Sequence, residues 1–523
     1  MTHSADALPS KRSSARASVR VEFPLQAQAC GRDTAVLTAI AAAVVLIHLL
    51  TGNRYGFHRD ELQFLSDARR LDWGFVAFPP FTPFVERIGL ELFGVSMLGL
   101  RLFSMLAQAA AIVIGGLMAC ELGGNRLAQV VAALAVAFTP VSLFEGTEFQ
   151  YTSFDFLWWL LIAYFVIRLL NTENPRWWLA IGATIGLGLE TKYSIVFCIA
   201  GLLIAMALTP ARRFFASRWF WGGVALALVI FLPNFIWLVR HDFISYTFLQ
   251  HIHVRDVGQG RAQGFLRDQF LICTNLAAAP LWLAGLAGFL LNRRLRMLAF
   301  MLVIPVALFW IAKGRGYYTA GVYPMAEAMG AVMAVRWLAG LRRPARVAIY
   351  GAYWAAFAFV SAYICAVAIP LASSGPLKQF ALAHSYDLRE EIGWNQLVQT
   401  VAQIRDALPP EQRAHLGITT GNYGEYGAID ILGGAYGLPT PIGTTNSEWL
   451  WGYPSPPPAT LIVLGLRRKQ ADALFTGCRL AGHTANREGV RNEESQYHPD
   501  IFVCGPPRKP WAEIWRDKPW DFG

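Results

Sequence analysis

Over its first 370 residues the chain alternates long apolar runs with short polar joints. A helix that crosses the hydrocarbon layer of a bilayer needs about 20 apolar residues, within a range of roughly 17–25. About eleven stretches meet or approach that length: 34–51, 97–119, 127–144, 153–170, 177–190, 193–209, 219–238, 271–291, 297–312, 320–338 and 347–370. The fifth and sixth are short and Gly-rich (IGATIGLGLE), with only Glu190, Thr191, Lys192 and Tyr193 between them. The pattern predicts an α-helical polytopic membrane body over 34–370.

The pattern changes after residue 371. WNQLVQTVAQIRDAL has helical spacing, HLGITT and TLIVLGL are apolar runs of strand length, RKQADALFTGC is helical again, and IFVCG reads as a last strand. Strands alternating with helices predict a small α/β domain over 371–523. Within the first long loop, 52–96, DELQFLSDARRL has helical spacing and PFVERIGLELFG is amphipathic. Pro79 and Pro80 break the chain between them, so two helices lying at the membrane surface are expected. The loop 239–270 (RDVGQGRAQG) is polar and contains glycine, and is expected to be mobile. Residues 1–33 are polar and basic and read as a disordered cytoplasmic tail. No small-residue cleavage site follows the first apolar run, which is therefore read as a retained span and not a signal peptide.

Composition agrees with a membrane body. Only 15% of residues are charged, against roughly 25% in soluble proteins, and 13% are aromatic. The net charge of +10 could suggest nucleic acid, but most Lys and Arg sit in short loops between apolar runs, which is the signature of membrane orientation. Alternate loops carry Arg126; Arg168 and Arg176; Arg212, Arg213 and Arg218; Arg293, Arg294 and Arg296; and Arg336, Arg342, Arg343 and Arg346. Four of these five hold at least two Arg, so they are placed inside. Loops 52–96, 145–152, 190–193, 239–270 and 313–319, and everything after about 371, are then outside. None of the seven cysteines shows a metal-ligand spacing. Cys478 and Cys504 lie in the polar C-terminal part, either as a disulfide, if that part is outside the cytoplasm, or as two free thiols.

Chemistry-bearing residues gather at the outer ends. Asp60 and Glu61 stand a few residues beyond the first span, where a carboxylate can take a proton from an acceptor hydroxyl; the plainer reading is a pair of acids in a first helical turn. Asp155 lies at the outer end of the fourth predicted span, beside Phe156, Leu157, Trp158 and Trp159. An ionisable residue there either faces the bundle interior or caps a helix. Lys192, Lys313 and Arg315 are outer-end cations, and the loop KGRGYY adds Tyr317 and Tyr318. Such a group can hold a phosphate through charged hydrogen bonds and free backbone N–H groups, or it can snorkel to lipid headgroups. His251 and His253 could ligate a metal, but no third ligand stands at a recognisable spacing, so neither a divalent cation nor another cofactor is supported.

Five stretches in this order carry a family resemblance: FHRDELQFL; FPPFTPFVERIGLELFG followed by LRLFSML; EFQYTSFDFLWW; GLGLETKYS; and KGRGYYTAGVYP. With them the chain resembles the GT-C superfamily of polyprenyl-phosphate-dependent glycosyltransferases. Within it the match is to the protein O-mannosyltransferase-like group, which includes lipid A aminoarabinose transferases and rhizobial galacturonosyltransferases. The resemblance covers roughly residues 50–330. It implies a cell inner-membrane enzyme with a periplasmic C-terminal domain and an inverting transfer without a nucleotide sugar. The implied donor is a polyprenyl-phosphate sugar, and the acceptor a hydroxyl on lipid A or lipopolysaccharide, another glycolipid, a polysaccharide or a protein. It implies Asp60 as base, Glu61 as the second member of the pair, Asp155 near the acceptor, and Lys192, Lys313 and Arg315 at the donor phosphate. One departure stands out: aminoarabinose transferases carry Lys before the Pro pair, and here that residue is Phe78. A phosphate contact is then missing or supplied elsewhere, which argues against aminoarabinose.

The alternative is a transporter or flippase for lipid-linked sugar. It calls for polar residues at mid-span and paired halves with broken helices. The acids and cations sit at outer ends instead, and no repeat is visible. A sensor anchored by its membrane body would not need so many spans.

Overall fold

A computed structural model describes residues 33–517; the tail expected over 1–33 lies, Asp33 apart, outside the described residues. Sixteen helices build the first part: α1 (Thr34–Thr51), α2 (Arg59–Arg69), α3 (Phe81–Phe93), α4 (Met97–Glu121), α5 (Arg126–Ala137), α6 (Pro140–Thr147), α7 (Tyr151–Thr172), α8 (Trp177–Leu189), α9 (Val196–Ala207), α10 (Arg218–Arg240), α11 (Ile244–Gly258), α12 (Phe265–Leu271), α13 (Ala279–Leu291), α14 (Arg296–Ile311), α15 (Tyr323–Ala339) and α16 (Arg343–Ala368). Each predicted apolar segment is helical over most of its length. Among the described residues five helices (α1, α4, α7, α10 and α16) are long and apolar enough to cross a membrane. The count is eight if each of three sharply bent pairs makes one span, and α8 and α14 are shorter apolar helices. Length and composition alone thus support five to eight spans among the described residues and do not confirm the expected eleven.

The helices sort by what they face. Leu46, Leu50, Leu228, Val229, Leu232 and Phe359 on α1, α10 and α16 are exposed, a surface that only lipid would cover favourably. Helix α7 is largely enclosed by its neighbours. Helices α13 and α15 cross closely because Gly285 faces the Ala326 carbonyl and Gly330 faces the Leu281 carbonyl. A Cβ on either would stand within 2 Å of that oxygen (1.9 and 1.8 Å). Small residues are the usual means of close helix packing in lipid, where apolar burial drives nothing.

The two helices of the first loop differ from each other. Helix α3 exposes Phe84, Ile88, Leu92 and Phe93, as an amphipathic surface helix should. Helix α2 does not lie on a surface, because its residues from Leu62 to Ala68 are buried. It is clamped between the helical body and the C-terminal part. The loop expected to be mobile, 239–270, contains the fifteen-residue helix α11 and the short α12.

After Ala368 come α17 (Gly375–His384), α18 (Asp387–Glu390), α19 (Trp394–Asp406), α20 (Pro410–Ala414) and α21 (Tyr423–Leu432), interleaved with strands β1 (Leu416–Thr420), β2 (Ile442–Gly443), β3 (Thr460–Val463), β4 (Arg479–His483) and β5 (Asp500–Cys504). The sheet order is β2-β1-β3-β5-β4. β1 is parallel to β2 and β3, whereas β5 is antiparallel to β3 and β4. Cys478, at the start of β4, is joined to Cys504, at the end of β5, by a disulfide. Helix α21 packs directly on α2, and Gly427 permits the contact, since a Cβ there would meet the Leu62 backbone at 2.6 Å. Polar anchors flank the crossing: Arg70 makes a two-pronged pair with Asp430 (3.0 and 3.0 Å), Ser66 donates to Asp430, and Arg59 pairs with Glu493.

Candidate active site

Helix α2 positions the first candidate. His58 precedes it in an extended conformation and caps it; its Nδ1 accepts from the Asp60 N–H at 3.3 Å, and the Glu61 carboxylate accepts from the His58 N–H at 2.8 Å. This reciprocal cap fixes where the helix begins. Asp60, one residue into the helix, then reaches into a cleft with about 230 Å³ of free space. Its Oδ1 accepts a hydrogen bond from the Tyr423 hydroxyl at 2.8 Å, and Arg59 lies over the same tyrosine ring at 4.7 Å.

The opposite wall of the cleft is cationic. Lys192, Arg255, Arg261 and Arg315 all line it, with Tyr151 and Tyr318. Lys192 arrives on the turn between α8 and α9. Its ammonium sits 3.9 Å from the Tyr318 ring centre and 4.8 Å from that of Tyr151, an aromatic seat that retains a cation while leaving hydrogen-bond donors free. Arg315 donates to Asp256 at 2.6 Å, and Arg255 and Arg261 approach the same carboxylate at 3.5 and 3.4 Å. Burial works against the charge on Asp256, but the Arg315 hydrogen bond and the surrounding guanidinium groups outweigh it and hold this carboxyl below the usual range.

Other residues singled out in the sequence fall differently. Asp155 lies behind Lys192: Oδ2 is 3.9 Å from the Lys192 ammonium and Oδ1 accepts from Trp159 Nε1 at 3.1 Å. It lines a narrow crevice next to the Asp60 cleft, with Lys192, Tyr317 and Tyr318. Four members of the sequence-derived set do not line the cleft: Asp155 and Tyr317 face only this crevice, and Lys313 and Glu61 line neither space. Lys313 is exposed in a left-handed turn (φ 51°) and does not line it, because the chain reverses there before Arg315 turns inward. Glu61 is completely buried on the other side of α2, in a two-pronged pair with Arg101 (2.7 and 2.7 Å), and also accepts from the Phe149 N–H at 2.8 Å. It organises the start of the helix and does not touch the cleft. His251 and His253 are exposed on α11, and among the described residues no group of three or more His, Cys, Asp or Glu is placed to hold a metal.

Sequence reasoning missed Arg101, Arg255, Arg261 and Tyr423. Arg101 carried a usable signal, being an ionisable residue inside an apolar run. It is fully buried and also donates to the Gly52 and Gly56 carbonyls (2.8 and 3.0 Å) and to Glu391 (3.2 Å), joining the ends of α1 and α2 to the C-terminal part. Arg255 and Arg261 lie in loop 239–270, which the charge pattern had placed on the same side as Lys192. Tyr423 had no signal, since its importance lies in a contact 363 positions away. Phe78, the residue before the Pro pair, lines the cleft and packs on Phe64 at 4.5 Å.

Burial at this junction has a consequence for pH. Glu391 is pushed up from 4.5 to about 8 by burial, against the pull of Arg101. A carboxylic acid raised in this way stays protonated in the folded state while the unfolded chain ionises. Stability is therefore lost as pH climbs from 4.5, and the loss is complete above about 8. Glu425 and Glu448, also buried at the junction and also raised to about 8, act in the same direction. Thermal unfolding across that window is expected to show a falling midpoint, with a shallower slope in Glu391→Gln; an unchanged slope would show that Glu391 is not the titrating group.

Comparison with known proteins bears on the fold and on part of the membrane body. Residues 78–237 match the family model described as dolichyl-phosphate-mannose-protein mannosyltransferase. The lipid A galacturonosyltransferase RgtD of Rhizobium johnstonii is 30% identical over 221 residues, 41% of this chain and 46% of that protein. An undecaprenyl phosphate-α-4-amino-4-deoxy-L-arabinose arabinosyl transferase of Pseudomonas fluorescens is 28% identical over 278 residues, 49% of each. The chain spans about half the length of the curated relatives it matches. Crystal structures of ArnT from Cupriavidus metallidurans share the fold over 91% of this chain and 98% of theirs. The TM-score is 0.55 at 15% identity for the apo state and 0.51 at 17% for the undecaprenyl phosphate complex. In fold over nearly its whole length, and in sequence over a long stretch of its membrane body, the chain is similar to the GT-C glycosyltransferases of the protein O-mannosyltransferase-like group.

Proposed function

We propose that this chain is an inverting glycosyltransferase of a bacterial inner membrane. It moves a sugar from a polyprenyl-phosphate donor to a hydroxyl of a cell-envelope acceptor, with its active site and C-terminal domain on the periplasmic side. One observation carries the reading: the Asp60 carboxylate, which accepts from the Tyr423 hydroxyl, shares a cleft with four cations. Asp60 takes the proton of the acceptor hydroxyl. The acceptor oxygen attacks the anomeric carbon from the face opposite the phosphate, a C–O bond forms, and the bond to the phosphate oxygen breaks. Configuration inverts, and the electron pair leaves with the polyprenyl phosphate. Lys192 and Arg315, with Arg255 and Arg261, neutralise that departing charge, the largest electrostatic demand of the reaction. Asp155 holds Lys192 in place, and Tyr317 and Tyr318 form the aromatic wall beside it.

The resemblance to lipid A and lipopolysaccharide glycosyltransferases favours an acceptor of that class over a polysaccharide or protein. Phe78 in place of a cation favours a sugar other than aminoarabinose. The Cys478–Cys504 disulfide supports an oxidising compartment for the C-terminal domain. Purified protein in nanodiscs, given an undecaprenyl-phosphate-linked sugar and an envelope lipid extract, is expected to release undecaprenyl phosphate and glycosylate a lipid. Mass spectrometry of envelope glycans and glycolipids from a deletion strain identifies the product. If no donor is consumed and no envelope mass changes, the reading is wrong.

A further inference from the structure

The C-terminal sheet holds a second cavity, which the transfer chemistry does not use. It lies at the carboxyl ends of the parallel strands β1, β2 and β3, has about 210 Å³ of free space, and is lined by Thr420, Thr444, Leu466, Gln470, Phe475 and Trp511 among others. After β1 the chain turns off through α21 to β2 on one side. After β3 it turns off through the helix Arg468–Leu474 towards β4 and β5 on the other. Adjacent parallel strands whose connections diverge open a crevice between their ends, the place where α/β sheets characteristically bind ligands. The loops leaving β1 and β3 approach closely at Gly421 and Gly465, where a Cβ on Gly421 would meet the Gly465 backbone at 2.5 Å, and this closes the floor.

The lining specifies the ligand. None of its residues is charged, which disfavours a phosphate or a carboxylate. Thr420 is 3% exposed and Trp511 7% exposed, yet the Thr420 hydroxyl and the Trp511 indole N–H have no hydrogen-bond partner among the described residues. Buried polar groups in this state are costly unless something meets them. The Thr419 hydroxyl, also on the cavity, is unmet as well. The Gln470 carbonyl oxygen is taken up by the Arg467 N–H at 2.9 Å, which leaves its amide donors for a ligand. Apolar and aromatic walls come from Leu466, Phe475 and Trp511. Trp511 belongs to the C-terminal helix, which reciprocal bonds between Trp449 and Trp515 (3.1 and 2.9 Å) hold in place. The free space is below the roughly 300–1,000 Å³ of drug-sized sites and suits a single ring.

We propose that this cavity binds one uncharged sugar ring, its hydroxyls meeting Thr420, Gln470 and the Trp511 N–H and its apolar face meeting the aromatic wall. Thr420 and Tyr423 are three residues apart, so their backbones lie within roughly 10 Å of each other. Tyr423 in turn hydrogen-bonds Asp60. A glycan seated in the cavity is therefore held beside the transfer cleft, which makes it an anchor for a saccharide acceptor; that assignment, unlike the binding itself, rests on the proposed transferase function.

The test is saturation-transfer NMR on the full chain in nanodiscs. The probes are a neutral methyl hexopyranoside, a methyl hexuronoside, and a delipidated lipopolysaccharide core oligosaccharide. Saturation of ring protons is expected with the neutral hexoside or the core oligosaccharide, and much less with the uronoside. Thr420→Val should weaken it by roughly three- to tenfold, the loss expected for one hydrogen bond. Ala473→Phe, on an exposed residue at the rim, should abolish it without touching the core. Binding of the oligosaccharide alone identifies an acceptor site, and equal binding of the free hexoside identifies a general sugar site. Absence of binding by both the hexoside and the oligosaccharide, or binding unaffected by Ala473→Phe, overturns the proposal. No donor or turnover is required, so failure here leaves the transferase reading untouched, and failure of transfer leaves sugar binding to be measured.

Discussion

Asp60→Asn is expected to lower sugar transfer by about two to four orders of magnitude, the usual contribution of a positioned general base. The fold should survive the change. The Asp60 side chain is 31% exposed and its hydrogen-bonded partner is the Tyr423 hydroxyl. The Asn carbonyl oxygen can accept that same bond, and the helix cap depends on the Asp60 backbone N–H and not on its carboxylate. Donor binding should be nearly unaffected, since the cations that would hold the phosphate are on the opposite wall. The expected signature is therefore a fall in kcat with little change in donor KM or in Tm. If the Asn variant keeps more than about a tenth of wild-type turnover, well short of what a general base contributes, Asp60 is not the base.

Arg101→Leu is expected to give the largest loss of stability, about 3–5 kcal/mol, the range for removing one partner of a buried ion pair. This guanidinium is fully buried and serves two carboxylates and two backbone carbonyls at once. Without it the Glu61 carboxylate is buried with no cation beside it, and the Gly52 and Gly56 carbonyls lose a donor. Glu61→Gln should cost less, because the amide oxygen can still accept from one of the His58 and Phe149 N–H groups, which bond to different oxygens of the carboxylate. Both variants loosen the start of α2, so transfer should fall in step with stability, unlike Asp60→Asn. Thermal unfolding and limited proteolysis between residues 371 and 393 read this out. An Arg101→Leu protein with unchanged Tm and proteolysis would show that the junction is held by the α2–α21 contacts alone.

The contrast between these two variants locates the boundary between what was legible in the chain and what was not. Asp60 and Glu61 are adjacent and chemically alike; residue type and spacing offered no means of telling them apart, and only the family resemblance singled out Asp60 as the base. Consecutive helical residues point about 100° apart. In the folded protein that rotation sends one carboxylate to the cleft and the other to Arg101. Lys313 and Arg315 separate in the same way, across one left-handed turn. Loop 239–270 looked mobile because its composition is polar, yet it is helical and delivers Arg255 and Arg261 to the site.

By itself the sequence determined the membrane body, the succession of apolar helices, the α/β character of the C-terminal part and the gathering of acids and cations at helix ends. These properties are written locally: a backbone in lipid must satisfy its own hydrogen bonds, and a charge in an apolar run is costly wherever the run is placed. Tertiary structure alone decided which of those groups share a cleft, that Tyr423 reaches Asp60, that Arg101 locks the start of α2, and that the sheet leaves an unmet polar cavity at its strand ends. Those outcomes depend on side-chain direction and on contacts between residues hundreds of positions apart, which no local pattern encodes.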